Sequence, residues 1–365
     1  MIFLFAVCGL IILPFVCVDL YMMLNEWQAR IHIGRWTVRE EWRRAMERKA
    51  QQWLHRMPIV PRTDAQRWIL WDMFRRKYGS RTIQSWQVAG LLFGLGQEAT
   101  QQYVMQHPEL LMDAHAEVDV ALLAYVMKKY GVLTVEQEKC VGSMFEPYVE
   151  EGTIPYRKHL PMVRFVDTIG LVCPFLYAVG LKDLAERQIR EYDEALFAKT
   201  FPAHAFHVER KKPMGLFDWS RGVGWYILGL TETSFKEQEM VSLAQQLLSL
   251  RLVNGGFSSM LFNSEERMES SGTALIGLLF VKAYEVSGEK LFLEAARQAE
   301  KALMQVTQRN GVVDYAQGDT AGIGHYSRHY GKMPFAQGMT LYLTKRIDEV
   351  VAAGRGTGGI DDERN

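Results

Sequence analysis

Six stretches of the chain read as helices that are apolar around most of their circumference, each with its polar residues gathered at its start. They begin near Trp86 ("WQVAGLLFGL"), Asp119 ("DVALLAYVM"), Asp167 ("DTIGLVCPFLYAVGL"), Arg221 ("RGVGWYILGL"), Ser271 ("SGTALIGLLFVKAY") and Pro334 ("PFAQGMTLYL"). A helix without a polar face must be covered on every side. Helices of a second kind, charged and amphipathic, lie between them, among them "KDLAERQIREYDEALF" and "KLFLEAARQAEKALMQV". Strand-like alternation is scarce. The recurrence of apolar helix, loop and covering helix predicts six helical hairpins closed into an all-α (α/α)6 barrel over residues 61–353.

In such a toroid the inner helices run parallel, so their N-termini gather at one end. Each N-terminus leaves unpaired N–H groups and a partial positive charge. The polar residues that open the six apolar helices are therefore expected around a single funnel.

The N-terminus is of another kind. "MIFLFAVCGLIILPFVCV" runs 18 residues without a charge, about the minimum for crossing a bilayer. It lacks a basic leading region and a small-x-small cleavage site, which favours an uncleaved anchor over residues 1–24; a cleaved signal is the alternative. Residues 25–60 include "VREEWRRAMERKAQQWLHRM", read as a juxtamembrane amphipathic helix. Its Arg and Lys residues follow the apolar run and none precedes it. This places the body of a single-pass protein of the bacterial inner membrane on the cytoplasmic side, unless those charges only solvate the helix. The glycine-rich, charged tail at 354–365 reads as disordered.

Lys+Arg and Asp+Glu both number 42, so no net charge draws the chain to nucleic acid. The four cysteines, at 8, 17, 140 and 173, form neither a disulfide framework nor a C-x-x-C metal spacing. No metal is expected. Nine Trp and fifteen Tyr are enough both for an aromatic core and for rings that meet sugar faces.

Two helix starts carry acids. Asp167 and Asp119 could each serve as an N-cap, but two carboxylates heading neighbouring inner helices also suit acid–base work, because environment can separate their pKa values. His204 and His207 precede Arg221, without the companions a metal site needs. The Arg221 guanidinium, at the mouth of an apolar helix, requires an anionic partner, either a protein carboxylate or a ligand's. Gly222 and Gly224 would let chain and ligand approach closely.

The elements "RFVDTIGLVCPFLY", "PAHAF", "DWSRGVGW", "ESSGTA" and "GHYSRHYGKMPFAQG" occur in this order between about Trp86 and Leu343. Together they resemble the unsaturated uronyl hydrolases, glycoside hydrolase families 88 and 105. The resemblance implies an (α/α)6 barrel. It implies a substrate too, an oligosaccharide ending in a 4,5-unsaturated uronic acid, hydrolysed by protonation and hydration of its double bond without a cofactor. Carried over by position, Asp167 is the general acid/base and Asp119 the second aspartate, with Asp113 a competing alignment. His204, Arg221 and Trp225 are pocket residues, and Trp86 and Ser271 wall residues. The family's W-x-R-G-N-G-W form has Asn where this chain has Val223, which puts one pocket hydrogen bond and the substrate in question. A catalytically silent, membrane-anchored relative that binds polysaccharide is the alternative from another class, and a toroid glycosidase of different specificity or a sugar epimerase is a third. An epimerase would rely on histidines at helix starts, and none of the six begins with His.

Overall fold

The computed structural model describes every residue except 1, 57, 59–67, 76–83, 114–116, 266, 321 and 358–365. In chain order the helices are α1 (Ile2–Arg30), α2 (Arg39–His55), α3 (Ile69–Phe74), α4 (Ser85–Leu95), α5 (Gln97–Gln106), α6 (Val120–Lys129) and α7 (Val135–Ser143). They continue with α8 (Asp167–Ala178), α9 (Lys182–Arg190), α10 (Ser220–Thr233), α11 (Glu237–Leu248), α12 (Ser270–Ser287), α13 (Lys290–Gln305) and α14 (Pro334–Thr357). Each of the six apolar starts opens a helix within a residue of its expected position. Helices α4, α6, α8, α10, α12 and α14 pack side by side in that order, and α14 returns onto α4 to close the ring. Closure needs close backbone approach: a Cβ on Gly338 would overlap the Gly90 carbonyl, so glycine on both helices admits the contact.

The amphipathic helices cover this ring. Helices α5, α7, α9, α11 and α13 pack on its outside, and α2 completes the outer layer against α4 and α14. This differs from the expected division at residue 60. Trp42, Met46 and Trp53 are buried in the core, the Trp42 indole donates to Thr307 Oγ1 at 2.9 Å, and Arg39 pairs with Glu300 at 2.7 Å. The charges of α2 are its solvent face and its tryptophans its inner face, so the toroid packing reaches back to Arg39.

Among the described residues one helix, α1, is long and apolar enough to cross a membrane, with mean hydropathy 2.3 over its best window. It continues past residue 24 to Arg30, whose guanidinium engages both oxygens of Asp314 at 2.8 Å. At the other end of the chain, α14 continues to Thr357, into the stretch expected to be a disordered tail; residues 358–365 lie outside the described residues.

Short strands fill the loops above the helix N-termini. They are β1 (Val163–Phe165), β2 (Leu196–Phe197), β3 (Phe201–Pro202), β4 (Ala205–His207), β5 (Lys212–Met214), β6 (Ala316–Gln317) and β7 (Tyr330–Gly331). Their sheets are β1-β4-β5, β2-β3 and β6-β7. All pairs are antiparallel, and β1 meets β4 with Phe165 opposite Ala205.

Candidate active site

A cavity of about 400 Å³ opens at the N-terminal end of the inner helices. Local pairing brings its central groups together. The β1–β4 register continues one step through Val166 N–H to His204 C=O at 2.9 Å, which sets Asp167, the first residue of α8, beside His204. The Nε2 of His204 lies 3.7 Å from Asp167 Oδ2. That oxygen is buried with no hydrogen-bond partner, and the Asp167 side chain does not cap α8. Burial pushes the Asp167 pKa up, against the opposing charges of His204, Arg221 and Arg157.

His204 is buried as well, and burial pushes its pKa down although the Asp167 charge opposes this. Its Nδ1 lies 3.1 Å from the Tyr326 hydroxyl, which already accepts the Leu216 N–H at 2.9 Å. The Tyr326 hydroxyl can donate to Nδ1, and in that tautomer a neutral His204 turns an Nε2–H toward Asp167. Gly215 holds this corner open. Its φ is +78°, and a Cβ there would come within 2.9 Å of both Tyr326 Oη and His204 Cβ.

Asp119 precedes α6 without capping it and accepts the Ser85 hydroxyl at 3.1 Å. Burial raises its pKa too. Asp119 stands behind the cavity lining, close enough that its charge and that of Asp167 both add to the burial that pushes Tyr156 up. Asp113, the competing assignment, is exposed and does not line the cavity.

Trp86 and Trp225 form one wall, edge to face with ring centroids 6.0 Å apart. Arg221 lines the cavity yet is only 3% exposed. Its Nε donates to Ser271 Oγ at 2.9 Å, Nη1 to Gly318 O at 3.2 Å, and Nη2 to Gln317 O and to Glu269 Oε1 at 3.5 Å. Four of its five N–H groups are thus engaged by the protein, which leaves one. The anion that the sequence demanded for Arg221 is Glu269, the N-cap of α12. Ser271 does not line the cavity. It is fully buried behind Arg221 and donates its hydroxyl to Glu269 Oε1 at 2.6 Å. Val223 is buried in the core away from the cavity, so the departure from Asn falls outside its walls.

Several lining residues carried no periodic signal. Tyr156, Arg157 and His159 come from the irregular segment before β1, and Asp319 from the one between β6 and β7. Arg157 is exposed, its guanidinium stacked 4.6 Å over the Tyr156 ring, and it pairs with no carboxylate among the described residues. Trp219 also lines the cavity, its ring 4.6 Å from His204 and its N–H on Gln317 Oε1 at 2.8 Å. Glu269 stood in the quoted "ESSGTA" element, but its partner is distant in sequence.

No family model matches the chain, and no curated protein matches it in sequence. Solved structures do match. A possible glycoside hydrolase family 105 member from Klebsiella pneumoniae is 16% identical, with a TM-score of 0.64 over 86% of this chain and 95% of that one. An unsaturated glucuronyl hydrolase responsible for glycosaminoglycan degradation, from Bacillus sp. GL1, is 13% identical, with a TM-score of 0.61 over 84% and 96%. The chain has the fold of these proteins. A polysaccharide lyase also shares it, at 12% identity and a TM-score of 0.56 over 84% and 98%, so the fold alone does not choose a reaction.

Proposed function

We propose that the protein is a glycoside hydrolase acting on oligosaccharides whose non-reducing end is a 4,5-unsaturated uronic acid. The observation that carries this reading is the Asp167 carboxyl, buried with an unpartnered oxygen, shifted toward its protonated form and set in a cavity walled by tryptophans. A carboxylic acid whose pKa is raised by burial can deliver a proton to carbon. Protonation at C4 by Asp167 leaves an oxocarbenium ion at C5. Water adds at C5 and gives its proton to the Asp167 carboxylate, which restores the acid. The hemiketal then opens and releases the adjoining sugar. The His204 Nε2–H stabilises the carboxylate between these steps. Trp86 and Trp225 offer ring faces to the sugars, Asp119 holds the Ser85 side, and Arg221 shapes the wall and retains one N–H for the substrate.

The test follows the loss of ultraviolet C=C absorbance when the full chain meets lyase-generated pectic, glycosaminoglycan and alginate fragments, with Asp167→Asn alongside. Absence of any loss with all three classes would overturn the reading. Equal rates in the variant would remove Asp167 from its role.

For topology, the length and composition of α1 support a single-pass anchor in a bacterial inner membrane, with flanking charge favouring a cytoplasmic catalytic domain. A reporter fused after Asn365 decides the side.

A further inference from the structure

The loops above the helix N-termini hold an aromatic cluster that the reaction does not use. Phe197 ends β2, Phe201 opens β3, Phe217 leads into α10, and Phe262 lies between α11 and α12. The ring centroids are 5.2 Å apart for Phe197 and Phe217, 6.1 Å for Phe197 and Phe262, and 5.4 Å for Phe201 and Phe262. Phe201 is the buried base of the cluster, whereas Phe197 is 49% exposed and Phe262 51%. Both exposed rings are held in place. The turn after Phe197 puts two residues other than glycine at positive φ, Ala198 at +49° and Lys199 at +60°; such backbone persists only where its surroundings impose it, and it gathers at ligand sites. The loop of Phe262 is tied to the segment of Phe217, because Asp218 accepts the Leu261 N–H on its carbonyl at 2.7 Å and the Phe262 N–H on its carboxylate at 3.4 Å.

The cluster adjoins the cavity. Phe217 is two residues from Trp219 and Phe201 three from His204, both of which line the cavity. At 3.8 Å between successive Cα atoms, these steps span at most about 8 and 11 Å. The surface between them is low. Gly215 and Leu216 are exposed, and a Cβ on Gly215 would come within 3.2 Å of Ile323, another lining residue. Leu216 is fixed there, donating its N–H to Tyr326 Oη at 2.9 Å and accepting the His204 N–H at 3.0 Å. A strip with no side chain at Gly215 thus runs from Ile323 over Leu216 to the exposed rings. Two half-exposed phenylalanines offer roughly 200 Å² of ring surface. A stable protein partner buries about 800 Å² on each side, so the patch is too small to recruit one. A sugar chain leaving the cavity needs no more, because the negative face of an aromatic ring attracts the C–H bonds of a pyranose face. Lys199, Asn263 and Ser264, which follow these rings in the chain, are exposed polar groups for its hydroxyls.

We propose that Phe197 and Phe262 form a distal sugar platform, which takes the units of an oligosaccharide that lie beyond the cavity and favours long substrates over disaccharides. The proposal rests on the oligosaccharide reading of the cavity. Unsaturated disaccharides and hexasaccharides are prepared with lyases from pectic, glycosaminoglycan and alginate polymers. Binding to the full chain carrying Asp167→Asn is read by calorimetry, and turnover of the full chain by loss of C=C absorbance. In the class that binds, the hexasaccharide should bind about tenfold more tightly than the disaccharide, the size of one well-stacked ring, with kcat/KM raised in the same proportion. Phe197→Ala/Phe262→Ala should remove this advantage and leave the disaccharide unchanged, which also reports that the variant is folded. Phe197→Tyr/Phe262→Tyr keeps the rings and should keep the advantage. Equal affinity for the two lengths, or an equal loss for both in the Ala variant, would overturn the platform. Tighter hexasaccharide binding through the rings without cleavage of either length would uphold the platform and overturn the reaction. Cleavage of both lengths at equal kcat/KM would do the reverse, and binding of neither would overturn both.

Discussion

Two buried carboxylates at opposite ends of the toroid are treated in opposite ways. Asp167, at the N-terminal end, keeps one oxygen without a hydrogen-bond partner, and burial dominates, raising its pKa. Glu232, in the last turn of α10 at the other end, is 7% exposed. It meets Lys129 Nζ at 2.8 Å, the Tyr125 hydroxyl at 2.6 Å and the Tyr342 hydroxyl at 2.9 Å. Burial presses Glu232 upward too, but the Lys129 charge and the donated hydrogen bonds outweigh it and lower its pKa. Burial alone therefore does not set the direction of a buried carboxyl's shift; the partners do. Glu232 ties α6, α10 and α14 together, whereas the unpartnered oxygen of Asp167 costs stability and leaves an acid facing a cavity.

The largest expected effect follows from this. Asp167→Asn should lower turnover by about 10²- to 10⁴-fold while leaving the urea midpoint unchanged or higher. A clear loss of stability in that variant would mean that Asp167 is structural after all. Next comes Glu232→Gln, which should cost about 2 kcal/mol, because it weakens a partly buried pair and two hydrogen bonds, with activity per folded molecule retained. The pH dependences should also oppose each other. The folded state holds the Asp167 proton more tightly than the unfolded chain does. Its contribution therefore falls as pH rises from the ordinary carboxylate value of about 4 through the raised one. The Glu232 contribution is present above that ordinary value and is lost as pH falls through the lowered one. Urea midpoints of the two variants across pH 3 to 7 check both slopes.

The difference between the ends also explains what the sequence could disclose. The six inner helices were legible because an all-round apolar run with a polar start is a local pattern, and Asp167, Trp86, His204 and Trp225 came with those starts or the loops that feed them. What depends on distant partners was not legible. "DWSRGVGW" demands an anion for Arg221, but that anion sits 48 positions away at Glu269. The tryptophans of α2 show an apolar face without showing that it closes a ring against α14. Tyr156, Arg157 and Tyr326 lie in irregular segments with no period to betray them. Glu232 reads as one more charge at the end of an apolar helix.

The N-terminal end leans on a remote support that the other end lacks. Arg30 bonds Asp314 just before β6 and, at 2.7 Å, the carbonyl of Tyr330 in β7. Between those points run Gln317 and Gly318, which hold Arg221, and Tyr326, which orients His204. Removing residues 2–24 should leave turnover in detergent near wild type. Extending the deletion through Trp36 also removes the Trp36 indole bond to Gln308 O at 3.0 Å. It should lower kcat/KM about tenfold, the size expected for losing a charged hydrogen-bonded anchor, while the Glu232 cluster keeps the barrel folded. Equal activity of the two truncations would show that the loop between β6 and β7 needs no hold from α1.

The smallest effect concerns Arg157, the exposed cation of the cavity. Arg221 has one N–H left, so under the proposed function a uronate carboxylate entering the cavity would meet Arg157 as the cation still free to pair with it. Exposed charges act weakly through water. Arg157→Gln should therefore raise KM several-fold, about 1 kcal/mol of binding shared by ground and transition states, with kcat little changed. The Arg157 charge also opposes the rise at Asp167. In the Gln variant the Asp167 pKa should move further up, extending the pH range over which the acid stays protonated toward the alkaline side. A KM effect without that shift would place Arg157 on the substrate alone. The shift without a KM effect would place it on the acid, and neither would mean that its position over Tyr156 serves only to cover the ring.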